Sequence, residues 1–210
     1  MPIKDFQLGP LETNCYILHD NAYALAVDPG GDPAEVVAFL KAKQLALLAI
    51  LNTHLHFDHI LGNAALHAAT GAPIRIPAQD AWLMDSELGA GGMWGFPKVP
   101  AFESTTLPEG EHSFGPFLCQ VLHTPGHSPG SLCFVIPAEH AVFVGDVIFY
   151  RGVGRTDFPG GDAETLVRSI REKIFTLPGD THLYPGHGLP TTVVDEQRNN
   201  PFCGVFGSIG

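Results

Sequence analysis

The chain reads as a single α/β domain. Short apolar runs rich in Val, Ile, Leu, Phe and Tyr alternate with helical patterns through both halves. No low-complexity linker divides them, and no repeat of about 20–50 residues recurs. A hydrophobic content of 45% over 210 residues is ample for one core.

Strands are expected at Cys15–Leu18, Ala22–Val27, Leu47–Asn52, Pro73–Ile76, Phe117–Leu122, Leu132–Ile136, Ala141–Val144 and His182–Tyr184. Each is bounded by Gly, Pro or Asp, which punctuate extended runs. A helix is expected over Ala34–Gln44, with Asp32 as N-cap, Pro33 in the first turn and Glu35 completing a capping box. A second fits Ile60–Ala69, stopped by Gly71, and a short one fits Asp195–Asn199. Asp162 can cap Ala163–Phe175, with Leu166, Ile170 and Ile174 on one face. Glu87–Glu103 is glycine-rich and fits either an ordinary surface loop or a functional one. Trp94 and Phe96 favour an aromatic flap over a substrate.

A net charge of −11 argues against nucleic acid or an anionic membrane surface as partner. No apolar run reaches the ~18 residues of a membrane span, and the first residues do not form a signal peptide. Cys15, Cys119, Cys133 and Cys203 are widely spaced and read as reduced thiols of a cytoplasmic protein.

The chemistry concentrates in Thr53-His54-Leu55-His56-Phe57-Asp58-His59. Neutral imidazole and carboxylate are ligands for Zn, Fe or Mn. His54 and His56 point to one side of an extended segment, whereas Asp58 and His59 fall where the chain turns into helix. One segment can therefore serve two neighbouring metals. Downstream, His127 sits on a tight turn held by Pro and Gly, Asp146 emerges at a strand C-terminus, and His187 lies on a Gly-flanked turn after another strand. These seven residues suffice for two divalent metals with one bridging carboxylate. No Gly-x-Ser-x-Gly elbow is present, which argues against a serine hydrolase. His19, His67, His112, His123, His140 and His182 show no partner pattern and read as structural.

His54-x-His56-x-Asp58-His59 followed by His127, Asp146 and His187 resembles the metallo-β-lactamase superfamily. Asp28, in Val27-Asp28-Pro29-Gly30, matches its first aspartate. The resemblance implies an αβ/βα sandwich of two mixed β-sheets with outer helices. Gly145-Asp146-Val147-Ile148-Phe149, Gly154-Arg155-Thr156-Asp157-Phe158, Pro185-Gly186-His187-Gly188 and Asn200-Pro201-Phe202 look like the short relatives of type II glyoxalase. Those hydroxyacylglutathione hydrolases cleave glutathione thioesters. By that resemblance His54, His56 and His127 hold metal one, Asp58, His59 and His187 hold metal two, and Asp146 bridges. Two zinc ions are expected, with iron or manganese as alternatives.

The implied mechanism is attack by a metal-bound hydroxide on a small-molecule thioester. Asp58 orients the hydroxide and accepts its proton, while Asp28 and Thr53 orient ligand histidines. Full-length relatives carry a C-terminal helical domain with basic residues for glutathione. This chain ends about where that domain would start, so one domain over 1–210 is expected. Arg155 stands where those enzymes place a glutathione-binding lysine, which suggests a contact to a substrate carboxylate. Its alternative is a salt bridge to a nearby Asp. The competing enzyme reading is a persulfide dioxygenase with a single iron, whose family shares Gly-Arg-Thr-Asp-Phe. A third reading is a non-enzymatic or redox metal-binding module.

Overall fold

The computed structural model describes residues 1–207, with the side chain of Trp94 outside the described set. Backbone contacts group the chain into two compact units. One is Met1–Leu107 with Ser113–Phe117, and the other is Pro108–His112 with the chain from Leu118 onward.

The first unit carries six strands: β1 (Ile3–Leu8), β2 (Thr13–His19), β3 (Tyr23–Val27), β4 (Ala46–Leu51), β5 (Ile74–Ile76) and β6 (Thr105–Thr106). They form one sheet in sequence order. β1 to β3 pair antiparallel, and β3 to β6 run parallel, so the sheet is mixed. β2 and β4 are the apolar strands expected from sequence. Their Ile17 and Ile50 are fully buried, in one core with Leu55, Ile60 and Leu66. Burying each such side chain contributes about 1.5–3 kcal/mol.

This unit contains α1 (Ala34–Lys43), α2 (Phe57–Ile60) and α3 (Asn63–Thr70), with a further helical turn described below. Asp32 accepts from the Ala34 N–H at 3.0 Å, as its place before the helix suggested, although Pro33 is the residue at the cap. Gly71 ends α3 with φ 74°, as expected of a helix stop. The single helix expected over Ile60–Ala69 is instead two pieces. The Gly62 N–H leaves the helical ladder and donates to Pro29 O at 2.7 Å, which breaks the run between α2 and α3. Glu87–Glu103 is not wholly irregular. It begins with a helical turn, α4 (Glu87–Ala90), preceded by a 3₁₀ segment Ala78–Asp85.

The second sheet contains β7 (Gly110–Phe114), β8 (Phe117–His123), β9 (Leu132–Ile136), β10 (Ala141–Gly145), β13 (His182–Pro185) and β14 (Thr191–Thr192), in the order β14-β13-β10-β9-β8-β7. A small hairpin, β11 (Ile148–Phe149) with β12 (Gly152–Val153), stands apart from it. β9 and β10 are buried at every position, as unbroken apolar runs in central strands should be. β10 runs antiparallel to β9 and parallel to β13.

α5 (Ala163–Ser169) begins at Asp162, whose carboxylate accepts from the Thr165 N–H at 2.7 Å. The expected helix to Phe175 continues as a π-helical turn, Ile170–Ile174, and Leu166, Ile170 and Ile174 are buried together as their spacing implied. α6 (Val193–Asn199) starts on the Thr192 hydroxyl. Among the described residues, no helix is long and apolar enough to cross a membrane.

Candidate metal centre

In the first unit β4 ends at Leu51, the chain bends at Thr53, and His56, at φ −72° and ψ 144°, starts α2. His56 therefore lies on extended backbone, while Asp58 and His59 lie on the helical turn. The rings converge: His54 is 4.6 Å from His56 and 4.0 Å from His59 between centroids. His59 Nε2 lies 3.5 Å from Asp58 Oδ2. All four side chains are buried.

Hydrogen bonds at Nδ1 set the tautomers. Asp28, 1% exposed, accepts from the Thr53 N–H at 2.8 Å and from the Thr53 hydroxyl at 2.6 Å. Its Oδ2 is also 2.9 Å from His59 Nδ1. A carboxylate only accepts, so Nδ1 carries the proton and the neutral ring keeps its Nε2 lone pair. The Thr53 proton is committed to Asp28. Its oxygen, 3.1 Å from His54 Nδ1, is then left to accept, which gives His54 the same tautomer. Asp28 and Thr53 thus touch His59 and His54, respectively.

In the second unit His127, Asp146 and His187 follow β8, β10 and β13, at the C-terminal ends of their strands. His127 Nδ1 donates to the Arg155 carbonyl at 2.8 Å, which again keeps the lone pair on Nε2. His127 Nε2 and His187 Nε2 lie 3.7 and 3.6 Å from Asp146 Oδ2. Phe149 lies edge-on to His187, 6.3 Å between centroids. A Cβ at Gly154 would stand 1.8 Å from Asp146 O and 3.1 Å from His127 Nδ1, so only glycine lets the segment after β12 pass both residues.

These donors fit metal ions. Two atoms bound at ~2.1 Å to one tetrahedral ion lie about 3.4 Å apart, close to the separations found within each unit. All seven side chains fall among groups of His and Asp that could hold a metal ion. Thiolates are absent from these groups, which suits Zn, Fe or Mn.

The candidate substrate residues have other company. The Arg155 guanidinium makes a two-pronged pair with Asp157, at 2.7 and 2.6 Å, and lies 3.8 Å from the Phe158 ring centroid. That is the salt bridge named as its alternative. The pairing holds the exposed Asp157 carboxyl at about 2. Phe96 packs on Phe57, between His56 and Asp58 in the chain, at 5.1 Å. The side chain of Trp94 lies outside the described residues.

Two buried residues near these ligands gave no signal in the sequence. The Thr13 hydroxyl donates to Asp58 Oδ2 at 3.3 Å. Asp80 accepts from the Leu55 N–H, also at 3.3 Å. Both come from distant segments, and neither Thr nor Asp in such a setting forms a pattern.

The chain matches the family model described as the metallo-beta-lactamase superfamily over residues 8–187. The probable metallo-hydrolase YqgX of Bacillus subtilis is 41% identical, over 98% of this chain and 99% of its own. Hydroxyacylglutathione hydrolase GloC of Haemophilus influenzae is 35% identical, over 96% and 98%. Among solved structures, BLEG-1 B3 metallo-beta-lactamase superposes with a TM-score of 0.91 at 40% identity, covering 96% of this chain and 99% of that one. TTHA1623, in a di-iron-bound form, gives 0.85 at 38% identity, covering 94% and 98%. The expected fold class is borne out: two mixed β-sheets with helices, shared with these structures. With its motif, fold and family match in agreement, the chain belongs to the metallo-β-lactamase superfamily and is a metallo-hydrolase-type enzyme.

Proposed function

We propose that this enzyme hydrolyses thioesters of the hydroxyacylglutathione type with two divalent metal ions. One observation carries the metal half: Nδ1 hydrogen bonds at His54, His59 and His127 place the proton of three neutral imidazoles on Nδ1 and keep the lone pair on Nε2. The thioester half is supported by likeness to GloC along nearly the whole of both chains.

In this reading His54, His56 and His127 would hold one ion, Asp58, His59 and His187 the other, and Asp146 would bridge. Zinc is the proposed metal, and the di-iron form of TTHA1623 makes iron the alternative. A bound divalent ion supplies Lewis-acid polarisation of a carbonyl and a water that ionises near pH ~7. Asp58, steadied by the Thr13 hydroxyl, would orient that water and accept its proton. Arg155, Trp94 and Phe96 would contact the substrate. Arg155 could take a substrate carboxylate only by releasing Asp157. Four cysteines without a disulfide support a cytoplasmic setting.

Hydrolysis of a β-lactam is a second reading, favoured by likeness to BLEG-1. Metal analysis alongside three assays separates the possibilities: release of free thiol from a 2-hydroxyacyl glutathione thioester, opening of a β-lactam, and oxygen uptake with glutathione persulfide. Two metal equivalents with thiol release are expected. One equivalent with oxygen uptake would instead make the protein a dioxygenase, and lactam opening alone a lactamase.

A further inference from the structure

We infer that Asp80 is a positioning residue for the His54–His56 pair, acting through the backbone of Leu55. The inference rests on these two histidines binding metal, as proposed above. Leu55 lies between them, beyond the end of β4, where no neighbouring strand is there to pair its N–H. Asp80 fills that place: its Oδ2 accepts from the Leu55 N–H at 3.3 Å, and both residues are fully buried.

A carboxylate removed from water is costly to keep unless hydrogen bonds compensate it, so a fully buried Asp on a short 3₁₀ segment calls for a reason. The other face of Leu55 is constrained as well. A Cβ built at Gly89 would stand 2.9 Å from Leu55 O and 2.4 Å from Leu83 O. The segment from Ala78 to Ala90 therefore grips Leu55 at its N–H and crowds its carbonyl, while the Leu55 side chain is anchored in the core with Leu83. Rotation of the Leu55 peptides would swing His54 and His56 in opposite senses, since they flank it. Holding those peptides fixes the angle between the two imidazoles. This gives a purpose to a segment that the fold alone does not explain. Asp28 secures His54 and His59 through their rings, whereas Asp80 secures His54 and His56 through the main chain.

The test compares Asp80→Ala, Asp80→Asn, Gly89→Ala and His54→Ala with wild type. Each protein is stripped with chelator, its melting is recorded, and Zn²⁺ affinity is measured by competition well below the melting temperature. Removing a group that orients metal ligands costs about 10- to 100-fold in affinity. Asp80→Ala should lose that much. Asp80→Asn retains an oxygen able to accept the Leu55 N–H and should recover to within about threefold of wild type. Gly89→Ala, pressing on Leu55 O, should fall in the range of Asp80→Ala, and it decides the matter if Asp80→Ala does not fold. Co²⁺ substitution adds a readout of coordination: its visible absorption should change in Asp80→Ala and return in Asp80→Asn. A purely structural residue would lower the melting of the stripped protein and leave affinity and spectrum unchanged. That result in a folded Asp80→Ala or Gly89→Ala would overturn the inference. Undiminished affinity in His54→Ala would overturn the metal reading beneath it, whereas loss in His54→Ala with none at Asp80 or Gly89 would overturn the positioning role alone.

Discussion

Asp28→Asn isolates what a buried carboxylate does for His59. The wild-type group takes three hydrogen bonds, from the Thr53 N–H, the Thr53 hydroxyl and His59 Nδ1. Asparagine has nearly the same shape and tolerates the left-handed backbone at position 28, where φ is 50°. It replaces one acceptor oxygen with a donor. Its remaining oxygen must face the Thr53 N–H, whose proton cannot move, so the amide NH₂ falls where Oδ2 was. The Thr53 hydroxyl can turn to accept from it. His59 can accept only by giving up its Nδ1 proton, which shifts the ring to the Nε2–H tautomer. A ligand nitrogen that must first lose a proton binds metal more weakly. The expected loss is 10- to 100-fold in affinity, or ~1.4–2.7 kcal/mol at the usual factor of ten per ~1.4 kcal/mol. Loss of the charge-assisted bond should also reduce folding stability by about 1.5–3 kcal/mol. That is tolerable in a protein with ~5–15 kcal/mol to lose. Chelator competition measures the first quantity and urea unfolding of the stripped protein the second. Wild-type metal affinity in a folded Asp28→Asn protein would refute the claim that this carboxylate sets the His59 tautomer.

Other outcomes are fixed by the same geometry. Gly154→Ala should lose metal and about 1–3 kcal/mol of stability, because its Cβ would collide with Asp146 O; unchanged metal content and melting would contradict this. Glu196 is fully buried and accepts from Arg151 N and Nη1, Thr191 Oγ1 and Asn200 Nδ2. Glu196→Ala strands those donors and should cost about 3–5 kcal/mol, lowering Tm by roughly 6–20 °C in a thermal melt. Burial pushes the Cys119 and Cys203 thiols up to about 12, and Cys15 higher still. A raised pKa means the thiolate is lost at any pH below it, so near pH ~8 a disulfide reagent should find none of these three reactive until denaturant is added. Rapid labelling of the native protein would show that burial to be breached.

Much of this was legible before any coordinates, for physical reasons that differ by element. β9 and β10 announce themselves because a strand buried on both faces is apolar throughout. β1 was missed because Ile3-Lys4-Asp5-Phe6-Gln7-Leu8 is an edge strand with several exposed positions, where polar residues cost nothing. The two-residue strands β6, β11, β12 and β14 are too short to carry a period. Four of the seven candidate ligands lie within six consecutive residues, so their spacing could be read directly. Asp80 and Thr13 could not, because they meet that segment only through the fold. Of the histidines with no partner pattern, His67 Nδ1 meets Ala72 O and His123 Nε2 meets Pro129 O nearby in sequence, whereas His140 Nδ1 reaches Asp180 Oδ2 at 3.1 Å.

Two of the anchored imidazoles differ in what holds them, and this has an evolutionary consequence. His59 depends on the side chain of Asp28, so substitution there is felt by the ligand at once. His127 depends on the carbonyl of residue 155, an atom that every amino acid supplies. The side chain at 155 projects outward and is more than half exposed. Drift at that position can therefore explore new specificities while the ligand behind it keeps its orientation. With the proposed roles of Arg155 and His127, recognition and chemistry are thus uncoupled within a single residue.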